Sequence, residues 1–116
     1  MQTRTLGPFT VSAIGLGAMP MSMGANDRPA QDKAIATVHA ALDAGVTFID
    51  TADVYRDGRS EQIIGSFIKG RPGLTVATKM GRRAPLDMDS YTPEAFRAWT
   101  DRSRENLGVE TLDLVQ

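Results

Sequence analysis

Apolar positions along this chain switch period several times. Four short runs carry strand-like spacing: Val11-Ser12-Ala13-Ile14-Gly15-Leu16-Gly17, Val46 to Asp50, Leu74 to Lys79, and Leu112-Asp113-Leu114-Val115. Between them the period lengthens to that of a helix. From about Pro29 to Asp43 the apolar residues are Ile35, Val38 and Leu42; from Ser60 to Lys69 they are Ile63, Ile64, Phe67 and Ile68; a third stretch carries Phe96, Trp99 and Leu107. Ahead of these units, Gly7-Pro8 between Leu6 and Phe9 marks the turn of a small hairpin.

Punctuation supports the same division. Gly45 stands where a helix ends in a left-handed residue, and Gly70-Arg71-Pro72-Gly73 breaks the second helix before its strand. Helix three has the fullest set of signals. Thr92 is an N-cap with Pro93 at the first helical position, Tyr91 and Phe96 have the spacing of a hydrophobic staple, and Gly108 closes the helix. Phe96, Trp99 and Leu107 are expected to be its buried side. His39, in the middle of the first helix, is expected to lie on its surface or to pack against a neighbour.

Strand followed by helix, three times over, predicts an α/β fold with a parallel sheet. The strand ends fall near Gly17, Asp50, Lys79 and Gln116, about 30 to 37 residues apart, the length of one βα unit. A barrel and a doubly wound sheet both suit that spacing. Polar residues at the C-terminal ends of several strands favour the barrel, whose active sites lie on that face. A dinucleotide-binding sheet would carry G-x-G-x-x-G after the first strand, but Gly15-Leu16-Gly17-Ala18-Met19-Pro20 lacks the third glycine. The expected fold is therefore a partial (β/α)8 TIM barrel with an N-terminal β-hairpin, comprising about the first four strands and three helices. Residues 1–116 are read as one incomplete domain, with Leu114-Val115-Gln116 ending inside a hydrophobic run.

Charge and composition narrow the partners. A formal net charge of -1, with scattered Lys and Arg, gives no basic stripe for nucleic acid or anionic lipid. No apolar run approaches the roughly 20 residues that span a bilayer, and the polar start Met1-Gln2-Thr3-Arg4 has no signal-peptide core, so the cytoplasm is the expected compartment. With no cysteine and a single histidine, neither disulfides nor a metal site is expected.

The chemistry gathers at the strand ends. Phe48-Ile49-Asp50-Thr51-Ala52-Asp53-Val54-Tyr55 and Ala77-Thr78-Lys79 bring a carboxylate, a phenol and an amine to successive strand termini. Gly15-Leu16-Gly17-Ala18-Met19, the Ala44 to Tyr55 segment, Gly58-Arg59-Ser60-Glu61, Ala77-Thr78-Lys79 and Leu107-Gly108-Val109 together resemble the aldo-keto reductase family over essentially the whole chain. The resemblance implies a (β/α) barrel with an N-terminal hairpin that binds NADP(H), with NAD(H) as the other option, and reduces a small aldehyde or ketone by hydride transfer. Of the family's four proton-handling residues, three carry over as Asp50, Tyr55 and Lys79. The family histidine would follow the fourth strand, past Gln116, and His39 is no substitute for it.

A ketone that accepts hydride needs a proton on oxygen, and a phenol with an ordinary pKa of about 10 is reluctant to donate near neutrality. An ammonium on Lys79 would favour the phenolate, and Asp50 would keep that ammonium charged and placed. Cofactor contacts are expected at Gly17, Ala18, Met19 and Asp50, because small residues let nicotinamide approach the backbone. Met19, Met21 and Met23 are alternatively core fillers, and Arg82-Arg83 is either a phosphate contact or a solvated loop. Arg56 departs from the family pattern, in which a glycine often follows the tyrosine, and the loop Met21 to Ala25 is short and rich in methionine. Two rival readings stay open: a Schiff-base lyase that uses Lys79, and a non-catalytic half-barrel that self-associates through its open edge.

Overall fold

A computed structural model describes residues 1–22 and 28–116. Strands β1 (Thr3–Leu6) and β2 (Phe9–Ser12) form the expected antiparallel hairpin, with Leu6 opposite Phe9. The main sheet is parallel, in the order β3 (Leu16–Gly17), β4 (Phe48–Asp50), β5 (Thr75–Thr78), β6 (Leu114–Val115). Helices α1 (Arg28–Asp43), α2 (Arg59–Ile68) and α3 (Pro93–Leu107) connect successive strands. Within this sheet each strand pairs with the next in the chain. A doubly wound sheet reverses its order at a switch point, and no reversal occurs here, so the fold is the first part of a β/α barrel.

One predicted strand is in fact two. Val11 and Ser12 belong to the hairpin, whereas Leu16 and Gly17 belong to the parallel sheet. Polar groups hold the crossing between them. Ser12 Oγ donates to the Ile14 carbonyl at 2.6 Å, Thr47 Oγ1 accepts from the Ser12 N–H at 2.8 Å, and Ser12 Oγ accepts from the Thr47 N–H at 2.9 Å. The other strands and α2 occur where expected, with ends shifted by one to two residues.

The core lies between sheet and helices. Ile49 and Val76 from adjacent strands meet Ala18, Ile64 and Leu107, while Val38 of α1 packs with Ile63 and Phe67 of α2. All four residues of β5 are buried, as a strand covered on both faces requires. Helices α2 and α3 approach closely because Gly65 carries no side chain: a Cβ there would lie 2.7 Å from the backbone oxygens of Asn106 and Leu107.

Helix α3 has its predicted caps. Thr92 Oγ1 accepts from the Ala95 N–H at 3.1 Å, Pro93 occupies the first turn, and Gly108 is left-handed at φ 67. Its buried face is a correction to the expectation. Leu107 and Ser103 are buried, but Phe96 is 44% exposed and Trp99 is only half-buried. The N-terminal turns of α3 lie beyond the surface where it meets α2, so Tyr91, Phe96 and Trp99 pack on each other instead, at 5.2 to 6.3 Å between ring centroids, Trp99 edge to face with both of the others and Tyr91 tilted against Phe96. His39 is exposed and stacks edge-on against Phe67 at 4.7 Å, consistent with a packing role. Among the described residues no helix is long and apolar enough to cross a membrane.

Candidate active site

The C-terminal ends of β4 and β5 carry the polar cluster expected there. Asp50 is the last residue of β4, and Lys79 follows β5 directly. Lys79 Nζ donates to Asp50 Oδ1 at 2.7 Å, to Asp50 Oδ2 at 2.8 Å and to the Thr51 carbonyl at 3.0 Å. Those three bonds use every N–H of an ammonium. The pair is partly open to solvent, with side chains 28% and 38% exposed for Lys79 and Asp50.

Tyr55 arrives from the loop after β4. Its half-buried ring faces Lys79, with Nζ 5.7 Å from the ring centroid. Backbone bonds tie this loop to the sheet mouth: the Thr51 N–H donates to the Ala77 carbonyl at 2.8 Å and the Asp53 N–H to the Lys79 carbonyl at 3.1 Å. Gln116 joins the cluster, its Nε2 donating to Asp50 Oδ1 at 3.3 Å. Asp50, Tyr55 and Lys79 are therefore brought together.

The expected cofactor residues divide. Gly17 pairs with Asp50 across the sheet and lines the same open cleft, and Met19 is 53% exposed beside it. Ala18 is fully buried in the core, and its N–H donates to the Asp50 carbonyl at 2.8 Å. It therefore shapes the loop rather than presenting a side chain at its surface. Met21 packs against both core clusters, in line with a filler, and Met23 lies outside the described residues. Arg83 is engaged in an ion pair with Asp57 at 2.6 Å.

Behind the mouth lies a second polar layer to which the sequence reading gave no role. Glu61 is fully buried; its Oε1 accepts from Thr78 Oγ1 at 2.6 Å and its Oε2 from Asn106 Nδ2 at 2.9 Å. Asp53 is 2% exposed, and its Oδ1 has no partner. Burial pushes the Asp53 carboxyl above its ordinary range, and the nearby Glu61 adds to that rise, against the guanidiniums of Arg83 and Arg102 and the Val54 N–H. A signal for Glu61 was present in the sequence: one helical turn before Ile64 it stands on the inward face of α2, where a carboxyl needs partners. Among the described residues no group of three His, Cys, Asp or Glu side chains could hold a metal ion.

An incomplete parallel barrel with an aspartate, a lysine and a tyrosine at its mouth defines a class of fold and site. Residues 13–116 match the family model described as "Aldo/keto reductase family", and the chain belongs to that family. It is 36% identical to the uncharacterized oxidoreductase YqkF of Bacillus subtilis (strain 168), over 100% of this chain and 38% of that protein. The holo form of aldo-keto reductase AKR11C1 from Bacillus halodurans superposes with a TM-score of 0.79 at 30% identity, covering 100% of this chain and 39% of the other. An aldo-keto reductase from Klebsiella pneumoniae in complex with NADPH gives a TM-score of 0.75 at 28% identity, covering 99% and 39%. The chain thus spans well under half the length of these relatives.

Proposed function

We propose that this chain forms the catalytic wall of an NADP(H)-dependent reductase that converts a small aldehyde or ketone into an alcohol. The observation that carries the reading is the Asp50–Lys79–Tyr55 arrangement at the strand ends, in a chain of this family. Tyr55 is the proton donor. Lys79 stands beside its ring and stabilises negative charge on the phenol oxygen as the proton leaves, while Asp50 grips Nζ with both oxygens and fixes its direction.

NADP(H), when bound, supplies the hydride, and NAD(H) is the alternative donor of the same chemistry. The residues present suit such a group: Gly17 and Met19 are exposed beside Asp50, and the Ala18 N–H pins their loop to the Asp50 carbonyl. The resemblance to a structure that holds NADPH supports the phosphorylated cofactor. The Schiff-base reading is weaker, because carbinolamine formation needs a free amine and the Lys79 nitrogen already donates three hydrogen bonds.

The 116 residues provide one wall of a barrel, and activity requires the rest of it. In a complete-barrel version of the protein, Tyr55→Phe should lower turnover by about 10²-fold or more and leave NADPH affinity nearly unchanged. Carbonyl reduction within a few-fold of the parent would remove Tyr55 as the donor.

A further inference from the structure

The turn that follows Tyr55 is strained, and helix α3 holds it. Arg56 lies at φ 46, ψ 42 and Asp57 at φ 51, ψ 46, two successive non-glycine residues in the left-handed region. Such conformations persist where the surroundings over-determine them. Arg102 of α3 supplies that constraint. Its Nη2 donates to the Asp57 carbonyl at 2.8 Å and to Asp57 Oδ1 at 3.2 Å, and its Nη1 reaches the Asp53 carbonyl at 3.4 Å. One guanidinium therefore grips the backbone two residues before Tyr55 and two residues after it.

The helix also backs directly onto the turn. A Cβ at Gly58, which has φ 91, would lie 2.6 Å from Asn106 Nδ2 and 3.0 Å from Arg102 Nη2. Arg102 and Asn106 are one helical turn apart on a single face of α3. Arg83 binds the same carboxylate oxygen, with Nε and Nη2 at 3.0 and 2.6 Å from Asp57 Oδ1. Asp57 itself is 77% exposed, so solvent screens its ion pairs, and the shortest Arg102 bond is the one to the Asp57 carbonyl, with the longer bond to the Asp53 carbonyl as the second point of hold.

We propose that Arg102 is a positioning residue for Tyr55: by bracketing the 53–57 backbone it keeps the phenol ring beside Lys79. The proposal rests on Tyr55 as proton donor. Among the described residues Arg102 bonds to Asp53 and Asp57 and to neither Asp50 nor Lys79, so it acts through the turn. A misplacement of the donor by about 1 Å can cost on the order of 10²-fold in rate.

In the complete-barrel reductase, Arg102→Met should lower kcat by about tenfold or more, with the KM for NADPH within about twofold of the parent. Arg102→Lys should recover part of the loss, since an ammonium can reach one carbonyl but not both. Added to Tyr55→Phe, Arg102→Met should cause almost no further loss. A kcat within about twofold for Arg102→Met, or a full multiplicative loss on top of Tyr55→Phe, would overturn the proposal. If Tyr55→Phe itself keeps its activity, it is the donor reading that fails, and amide exchange then decides the clamp. In the 116-residue chain, Arg102→Met should speed exchange of the Tyr55 and Asp57 amides, which donate to Ala52 and Val54, about tenfold while Ile63 and Ile64 are unaffected. No change at 55 and 57, or equal acceleration through α2, would show that Arg102 does not hold the turn in particular.

Discussion

Asp50 and Asp53 are three residues apart in one segment, and their surroundings are opposite. Asp50 sits at the wet mouth of the sheet, where Lys79 donates to both of its oxygens and solvent reaches the pair. Asp53 faces the dry wall behind, with one oxygen unpartnered and its carboxyl pushed up by burial. A strand end explains the difference. Residues at the tip of β4 project into the barrel mouth, whereas the returning loop tucks its next polar group against α2 and α3. Charge near the mouth is therefore available for chemistry, and polar groups in the wall hold elements together. It follows that substitutions at the wall should cost stability and those at the mouth should cost turnover.

The largest stability effect is expected at Glu61. Glu61→Ala strips Thr78 and Asn106 of their acceptor in a fully buried position and severs the link between β5, α2 and α3. Loss of two bonds to one buried carboxyl should lower stability by about 3 kcal/mol. Urea unfolding would read this as a lower midpoint at an unchanged slope. A change of a few tenths would mean that the wall is not what joins these elements.

Asp53 should give a smaller, pH-dependent effect. Its folded-state pKa lies above its unfolded one, so the folded protein keeps a proton that the unfolded chain has already lost. The contribution of Asp53 to stability should then fall as pH rises from the ordinary carboxylate value of 3.8 through the raised one, because above that range a buried charge burdens only the folded state. Below 3.8 both states are protonated and the penalty vanishes. Asp53→Asn should remove this slope, so the difference in unfolding midpoint between variant and parent should grow in the variant's favour across that window. A difference that is flat with pH, or that shrinks, would place Asp53 in the same wet setting as Asp50.

Much of this contrast was legible in the sequence, but only half of it as chemistry. Asp50, Tyr55 and Lys79 could be placed together because strand ends in a parallel barrel share a face, and the period change marked those ends. Glu61 belongs to the Gly58-Arg59-Ser60-Glu61 motif, but its partners Thr78 and Asn106 come from other elements, and no local spacing in the sequence links them to it. Arg56 stood out as a departure from a usual glycine, and its φ of 46 gives the reason glycine suits that position. Trp99 and Phe96 were misjudged for a related reason. Helical spacing shows which residues share a stripe but not how far the neighbouring helix extends along it, and α2 covers only the Ser103 to Leu107 end. The break between β2 and β3 escaped because apolar residues continue through it, while the bonds that make it come from Ser12 and Thr47, 35 residues apart.

The smallest stability effect, and the sharpest test of the contrast, is expected at Lys79. Its ion pair with Asp50 is partly exposed, and pairs of that kind contribute roughly 1 kcal/mol or less. Lys79→Met keeps an unbranched aliphatic side chain and removes the ammonium with its bonds to Asp50 and the Thr51 carbonyl. The unfolding midpoint should move little, by far less than for Glu61→Ala. Turnover in the complete-barrel protein should nevertheless fall on the order of 10²-fold, because Tyr55 would lose the cation that favours release of its proton. Midpoint and turnover measured on the same preparations would separate the two regions. If Lys79→Met instead lowers stability as much as Glu61→Ala, the mouth is a structural joint like the wall, and Asp50 holds Lys79 for the fold rather than for the phenol.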